Sequence, residues 1–176
     1  MEKLRFLPLT ILLILIGTCG ARAQTCNRDF ETQGGFSICV PDGWTVETKT
    51  GEKYKMIFAP KSEIFANINF KEGTSAASLE DYVAAEIKNL ISNVAQTGAT
   101  SIKVVSQSNF VTDSDLHGIK VIFSTEYKGA QFRQLQYIFS AGANRKLVVT
   151  CTSLEKDQEQ LDPVFERAAK SFRLDN

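Results

Sequence analysis

The single histidine of this 176-residue chain, His117, lies in a run of residues that could bind a cation. Asp113 and Asp115 precede it and Gly118 follows, so carboxylates and a glycine take the first, third and sixth positions of a calcium-binding loop. The twelfth position is Ser124, where such a loop needs a glutamate with two oxygen ligands. We therefore expect a turn with a solvated histidine and no bound metal, and keep Asp113, Asp115 and His117 as weak metal candidates.

Three cysteines, Cys26, Cys39 and Cys151, would remain after removal of an N-terminal leader. Exported proteins meet an oxidising environment, so one disulfide and one free thiol is the simplest arrangement. All three pairings stay open. Cys26 with Cys39 is slightly favoured because that bond would tie the N-terminal tail to the first strand. The sequence has no C-x-x-C redox motif and no zinc-ligand spacing, which favours structural cysteines.

Side chains suited to catalysis do not form a recognisable set. A nucleophilic serine or cysteine needs a base that a third group orients, and this chain has one histidine and no G-x-S-x-G sequence. No spacing singles out a pair of carboxylates, and the glycines do not form a phosphate-binding loop. The sequence therefore predicts a protein that is not an enzyme, with no catalytic residue and no cofactor.

The N-terminus is typical of a secretory signal peptide. Lys3 and Arg5 precede an apolar run from Phe6 to Ile16, and such a run is too short to cross a bilayer, which takes roughly 20 helical residues. We expect cleavage between Ala23 and Gln24. Residues 1–23 would then be the signal peptide, and residues 24–176 a single mature domain without a membrane span.

A second interpretation of the same segment is a lipoprotein signal. Residues 16–19 resemble a lipobox, in which Cys19 would carry a lipid anchor, although Thr18 stands where Gly, Ala or Ser is usual. We favour a cleaved protein in the periplasm or outside the cell, with a membrane-tethered lipoprotein as the alternative. The mature chain would carry seventeen basic and nineteen acidic residues, so we expect no nucleic-acid partner.

The remaining sequence pattern changes from a period of two to a helical period and back. Alternation predicts strands over 35–40, 44–48, 54–59 and 63–71. An apolar stripe from Leu79 to Val94, including Ile91, predicts an amphipathic helix that Ser78 and Asp81 cap and Gly98 ends. Further strands are predicted over 102–110, 118–127, 131–141 and 146–152, joined by short turns into an antiparallel meander. A last helix covers about 158–171, unless Pro163 marks its true start.

Strands, a helix, more strands and a final helix predict the α+β class. Four segments, at 35–44, 65–69, 78–82 and Ser171-Phe172, resemble the PsbP-like family, which includes DcrB-like exported bacterial domains. The resemblance implies an α-β-α sandwich on a central antiparallel sheet.

The same resemblance implies a role outside catalysis. We expect an exported envelope protein that binds a protein partner of unknown identity or helps to assemble or maintain one. A module that binds a small molecule or a divalent metal is the alternative.

Overall fold

The structure, a computed structural model, describes residues 29–32, 35–48 and 56–175. The expected signal peptide, its cleavage site between Ala23 and Gln24, and the lipid-anchor candidate Cys19 lie outside the described residues, as does Cys26. Among the described helices, none combines the length and the apolar character needed to cross a membrane.

Strands dominate the described part of the chain. They are β1 (Asp29–Thr32), β2 (Phe36–Cys39), β3 (Trp44–Thr48), β4 (Met56–Pro60), β5 (Ala66–Thr74), β6 (Ser101–Val111), β7 (His117–Tyr127), β8 (Ala130–Ser140), β9 (Arg145–Leu154) and β10 (Arg173–Leu174). The helices are α1 (Leu79–Ser92), α2 (Val94–Thr97) and α3 (Gln158–Lys170), and a 3-10 turn at Glu155–Asp157 leads into α3.

Strands β3 to β9 form one antiparallel sheet in the order β3-β4-β5-β9-β8-β7-β6. Short turns join β6 to β9 as a meander, which confirms the predicted antiparallel arrangement. The segment that contains α1 separates β5 from β6, so β5 is free to pair with β9. Strand β9 lies in the middle of the sheet, and every residue from Lys146 to Ser153 is buried. Both faces of this sheet must therefore be covered.

The first face of the sheet is covered by α3 and by a small three-stranded sheet, β1-β2-β10. Phe36 of β2 and Phe172, just after α3, are buried with ring centroids 5.3 Å apart, and Phe172 stacks on Phe139 at 4.9 Å. The Cys39 N–H donates a hydrogen bond to Ser171 Oγ at 2.8 Å, which joins β2 to the end of α3. Two segments that carry the family resemblance thus meet in one core.

The second face is covered in part by α1. Ser78 Oγ accepts a hydrogen bond from the Asp81 N–H at 3.0 Å, which confirms the predicted cap. The Asp81 carboxylate accepts from the Ser78 hydroxyl at 2.8 Å. Tyr82 and Val83 of α1 are buried against the sheet, and the Tyr82 hydroxyl lies over Gly73, where a β-carbon would come within 2.5 Å of it.

The predicted last helix is confirmed as α3, which begins at Gln158 and contains Pro163. The alternative start at Pro163 was wrong, because the buried residue Leu161 precedes the proline. Two other details differ from the sequence predictions. Ile91 is 45% exposed, since at 3.6 residues per turn it lies about a quarter turn from the centre of the α1 stripe. Strands β1 and β10 were not predicted, because strands of four and two residues are too short to show an alternating pattern.

Gly118 of β7 provides a test of the packing between β7 and β8. A β-carbon at this position would lie 2.6 Å from Phe139 Cδ1 and 2.7 Å from the Ile138 carbonyl oxygen. Overpacking a core costs about 1–3 kcal/mol, and we expect Gly118→Ala to lower the free energy of unfolding by that amount in urea denaturation. Ser108→Ala, on the exposed part of β6, should change it by less than about 0.5 kcal/mol. An unchanged Gly118→Ala midpoint would contradict the close contact.

Candidate functional site

A groove of about 540 Å³ lies on the face of the sheet that carries α1. Helix α1 packs on β6, β7 and β8 and has 14 residues, so it is about 21 Å long. Seven strands span roughly 29 Å between the outermost two. The helix also reaches one end of β5, at Lys71 and Gly73. It leaves open the other end of β5 and the neighbouring parts of β9 and β8, and these form the groove floor.

Five floor residues carry amides or hydroxyls, and we call them the amide patch: Asn69, Gln134, Gln136, Thr150 and Thr152. Asn69 lies opposite Thr150, and Thr150 lies opposite Gln136. Thr152 lies opposite Gln134 on the next strand. Directly opposite residues of antiparallel strands share a face of the sheet, so the five side chains form one continuous surface. Amides and hydroxyls both donate and accept hydrogen bonds, and the amide patch does so without charge.

Aromatic rings form one end of the groove. Phe65 and Phe132 have ring centroids 5.3 Å apart in an edge-to-face arrangement, and Tyr127 contacts Phe132 in the same way at 6.4 Å. We call these three rings the aromatic end. Phe65 is 52% exposed although it is large and apolar, so its ring is available to a bound molecule.

An ion pair lies toward the other end of the groove. Lys71 Nζ donates to Glu86 Oε2 at 3.1 Å, which joins β5 to α1. Lys71 is six residues after Phe65, and a strand rises about 3.3 Å per residue. The groove is therefore roughly 20 Å long along β5, with aromatic rings and an ion pair at its two ends.

Two polar atoms at the groove are without hydrogen-bond partners among the described residues. Asn69 Nδ2 donates to Asn67 Oδ1 at 3.1 Å, whereas Asn69 Oδ1 and Thr125 Oγ1 are buried and unpaired. Leaving such an atom unpaired costs about 1–3 kcal/mol. Both side chains line the groove, so a small rotation that pairs either atom with a bound molecule would remove this cost.

A second hollow, of about 500 Å³, lies between α3 and the turns that flank β3 and β4. Its largest aromatic side chain, Trp44, is buried and packs edge-to-face on Phe165 at 6.2 Å. Trp44 therefore serves the core, and this hollow has no counterpart of the amide patch. We take the groove as the candidate site.

The weak metal candidates occupy an exposed turn. His117 Nε2 lies 3.7 Å from Asp115 Oδ1, and both side chains are largely exposed. The turn is held by backbone contacts, since the Asp113 N–H donates to the Lys170 carbonyl at 2.8 Å. Within the described residues, no group of three histidine, cysteine or acidic side chains could hold a metal ion. The His117 side chain is exposed to solvent, and the expectation that this turn binds no metal stays a prediction.

The buried thiol of Cys151 removes two of the three predicted disulfide pairings. Cys151 is free and fully buried in β9, where it lies opposite Ile68 and Leu135 in the centre of the sheet. Its pairings with Cys26 and with Cys39 were therefore wrong. The pairing of Cys26 with Cys39 stays a prediction, because Cys26 lies outside the described residues.

Sequence reasoning missed a polar contact between α3 and the sheet. Arg133 Nε donates to Asp162 Oδ2 at 2.9 Å. Lys120 Nζ and the Tyr137 hydroxyl both donate to Glu166 Oε2. The two carboxylates are four residues apart and so lie on one face of the helix. This spacing is the feature of the sequence that could have indicated the contact. We call these five residues the α3 clamp.

The α3 clamp is suited to holding a helix rather than to chemistry. Tyr137 is fully buried, and burial raises the pKa of its phenol, with Cys151 and Glu166 acting in the same direction. The hydroxyl therefore stays protonated, and its proton is already donated to Glu166. A substrate has no access to this group.

Similarity to known proteins is found by comparing structures and not by comparing sequences. The chain matches no protein-family model and no curated protein. The solution structure of cyanobacterial PsbP (CyanoP) from Synechocystis sp. PCC 6803 superposes with a TM-score of 0.66 at 13% identity, covering 90% of this chain and 98% of that one. LpqN, involved in cell envelope biogenesis of Mycobacterium tuberculosis, gives 0.56 at 12% identity, covering 80% and 83%. A mutant of the protein Mog1 gives 0.56 at 9% identity, covering 84% and 95%.

A seven-stranded antiparallel sheet with helices on both faces defines an α+β protein. Within that class the fold is PsbP-like, as its similarity to CyanoP shows. The fold that the sequence motifs implied is therefore confirmed. At these identities the likeness concerns the fold alone.

Cys151 gives a test of how tightly the central strand is enclosed. Burial raises the pKa of its thiol well above the usual range, and the thiolate is the form that reacts. We expect iodoacetamide to modify Cys151 at least about 100-fold more slowly in the native protein than in urea, because reaction must await local opening. An added thiol at Ser108→Cys on exposed β6 should react quickly in both states. Rapid native labelling of Cys151 would contradict the buried position.

Proposed function

We propose that this chain is an exported, non-catalytic accessory protein of the cell envelope that binds a ligand in the groove. The observation that carries the proposal is the groove itself, with its uncharged hydrogen-bonding floor and exposed aromatic end. Its volume of about 540 Å³ falls within the roughly 300–1,000 Å³ of small-molecule sites. This supports the ligand-binding alternative predicted from the sequence over a role in protein assembly.

The chemistry of the groove favours binding over catalysis. General acid–base catalysis needs a titratable side chain within hydrogen-bonding reach of the substrate. The amide patch offers amides and hydroxyls, and Lys71 and Glu86 are paired with each other. His117 does not line the groove. Among the described residues, the groove therefore offers side chains suited to holding and orienting a molecule rather than to transforming it.

The proposed location rests on the N-terminal pattern and on the fold. Basic residues, a short apolar run and small residues before Gln24 are the three parts of a secretory signal. LpqN, which shares the fold, is involved in cell envelope biogenesis. We place the mature protein in the periplasm or outside the cell, with a lipid anchor at Cys19 as the alternative form.

A protein partner is the second candidate function, and the sheet edge favours it. Among the described strands, β6 has a neighbour on one side only, and its residues Val104 and Val105 are exposed. An open edge can pair with a strand of another protein. The register shift between Val104 and Ser106 interrupts this edge, which makes it less suitable than the groove.

We also propose a disulfide between Cys26 and Cys39. Cys39 lies opposite Asp29 of β1, so Cys26 is three residues before a position that faces Cys39, and Cys151 is enclosed elsewhere. Mass spectrometry of the protein from its own cells should show a soluble chain that begins at Gln24, two hydrogens lighter than the reduced form, with a peptide linking Cys26 to Cys39. A membrane species beginning at a lipidated Cys19 would contradict the soluble form.

Complementation tests the role of the groove. Gln134→Ala/Gln136→Ala removes two amides of the amide patch, whereas Gln107→Ala and Gln131→Ala remove exposed amides from other parts of the sheet. In a deletion strain scored for detergent sensitivity, we expect the wild type and both controls to restore growth. The groove variant should fail although it is exported in normal amounts. Full rescue by the groove variant would disprove the proposed function.

A further inference from the structure

We infer that the groove recognises an uncharged carbohydrate, a short chain of neutral sugar units. This inference rests on the proposed function and adds the chemical class of the ligand. Four properties of the groove lead to it: its balance of charge, the spacing of its amides, its exposed aromatic end and the use of a sheet face as its floor.

The charge of the groove selects a neutral ligand. Of the described residues that line it, two are charged, Lys71 and Glu86, and they neutralise each other at 3.1 Å. An anionic ligand would need an unpaired cation, and a cationic ligand would need an unpaired carboxylate. The groove presents neither. A ligand that binds there must gain its polar contacts from uncharged hydrogen bonds.

The amide patch matches a ligand with many hydroxyl groups. A primary amide holds donors and an acceptor side by side, and a hydroxyl can both donate and accept. Gln134 and Gln136 stand two residues apart on β8 with Thr152 and Thr150 opposite them, so amides and hydroxyls lie in adjacent pairs. Neighbouring hydroxyls of a sugar ring present the complementary pairs. Thr150 and Thr152 are buried, and a ligand that left their hydroxyls unpaired would bind less well.

The aromatic end supplies the apolar contact that a sugar ring needs. The face of an aromatic ring carries negative charge density and attracts polarised hydrogens, and a pyranose ring presents such C–H groups on its less polar face. Phe65 is exposed and lies beside the amide patch across Phe132. A sugar stacked on Phe65 would direct its hydroxyls toward Gln134 and Thr152.

The sheet face distinguishes a carbohydrate from a peptide. Extended peptides are usually bound by an open strand edge, whose backbone groups pair with theirs. Strands β8 and β9 are paired on both sides along the floor, and β5 pairs with β9 along its whole length and with β4 at residues 68–70, so most of their backbone groups are already paired. Recognition must come from side chains that project from the face, and a polyhydroxylated ligand suits such a surface.

Nuclear magnetic resonance of the ¹⁵N-labelled protein exported by its own cells tests the inference. The side-chain amides of Asn69, Gln134 and Gln136 give separate signals that report directly on the groove. We expect neutral trisaccharides to shift these signals in a saturable way, with one linkage preferred over others. A trisaccharide that contains a uronic acid, and a neutral pentapeptide, should bind at least tenfold more weakly, about 1.4 kcal/mol.

Variants link the binding to the proposed contacts. Gln134→Ala/Gln136→Ala and, independently, Phe65→Ala should each weaken binding of the preferred trisaccharide at least tenfold, whereas Gln107→Ala should leave it unchanged. Phe65 is exposed, so its variant should keep the native spectrum and rule out misfolding. Tighter binding of the charged sugar or the peptide, sugar-induced shifts confined to other residues, or no shifts with any sugar would overturn the inference. If sugars fail to bind while the groove variant still fails complementation, the ligand class is wrong and the proposed function stands.

Discussion

The rest of the structure depends on the burial of strand β9 on both faces. A strand buried in this way must lie at the centre of a sheet that is covered on each side, and β9 pairs with β5 and β8 to occupy that place. Helix α1 and strands β6 to β8 lie between β5 and β9 in the chain. Because β5 and β9 pair directly, α1 packs on one face of the sheet, and α3, which follows β9, packs on the other. The sandwich follows from covering this central strand.

The two covers differ in how firmly they are held. On one face, α3 is fixed by aromatic packing, by the three-stranded sheet and by the α3 clamp, whose ion pairs are only partly exposed. Partly exposed ion pairs contribute little one by one, whereas the buried Tyr137 hydroxyl would lose its only hydrogen-bond acceptor among the described residues if Glu166 were removed. On the other face, α1 packs on β6, β7 and β8, reaches one end of β5, and leaves the amide patch open. The contrast explains why the groove lies on the face that carries α1.

Much of the fold could be predicted from periodicity, and the candidate site could not. The long strands and both main helices give clear patterns, and Ser78 marks the start of α1. Asn69, Gln134, Gln136, Thr150 and Thr152 looked in sequence like the polar half of ordinary alternating strands. Alternation indicates which side chains share a face within one strand. It does not show which strands are neighbours, and so it could not assemble the amide patch.

By itself, the sequence determined the α+β class, the capped helix α1, the solvated His117 and the similarity to PsbP-like proteins. Each of these follows from local patterns of apolar, polar and turn residues. Only the tertiary structure decided that Cys151 is enclosed and free, that Pro163 lies within α3, and that a groove forms beside α1. Those outcomes depend on pairings between distant strands and on the limited length of one helix. Such contacts join residues far apart in the chain, and they form only when β5 and β8 pair with the central strand β9.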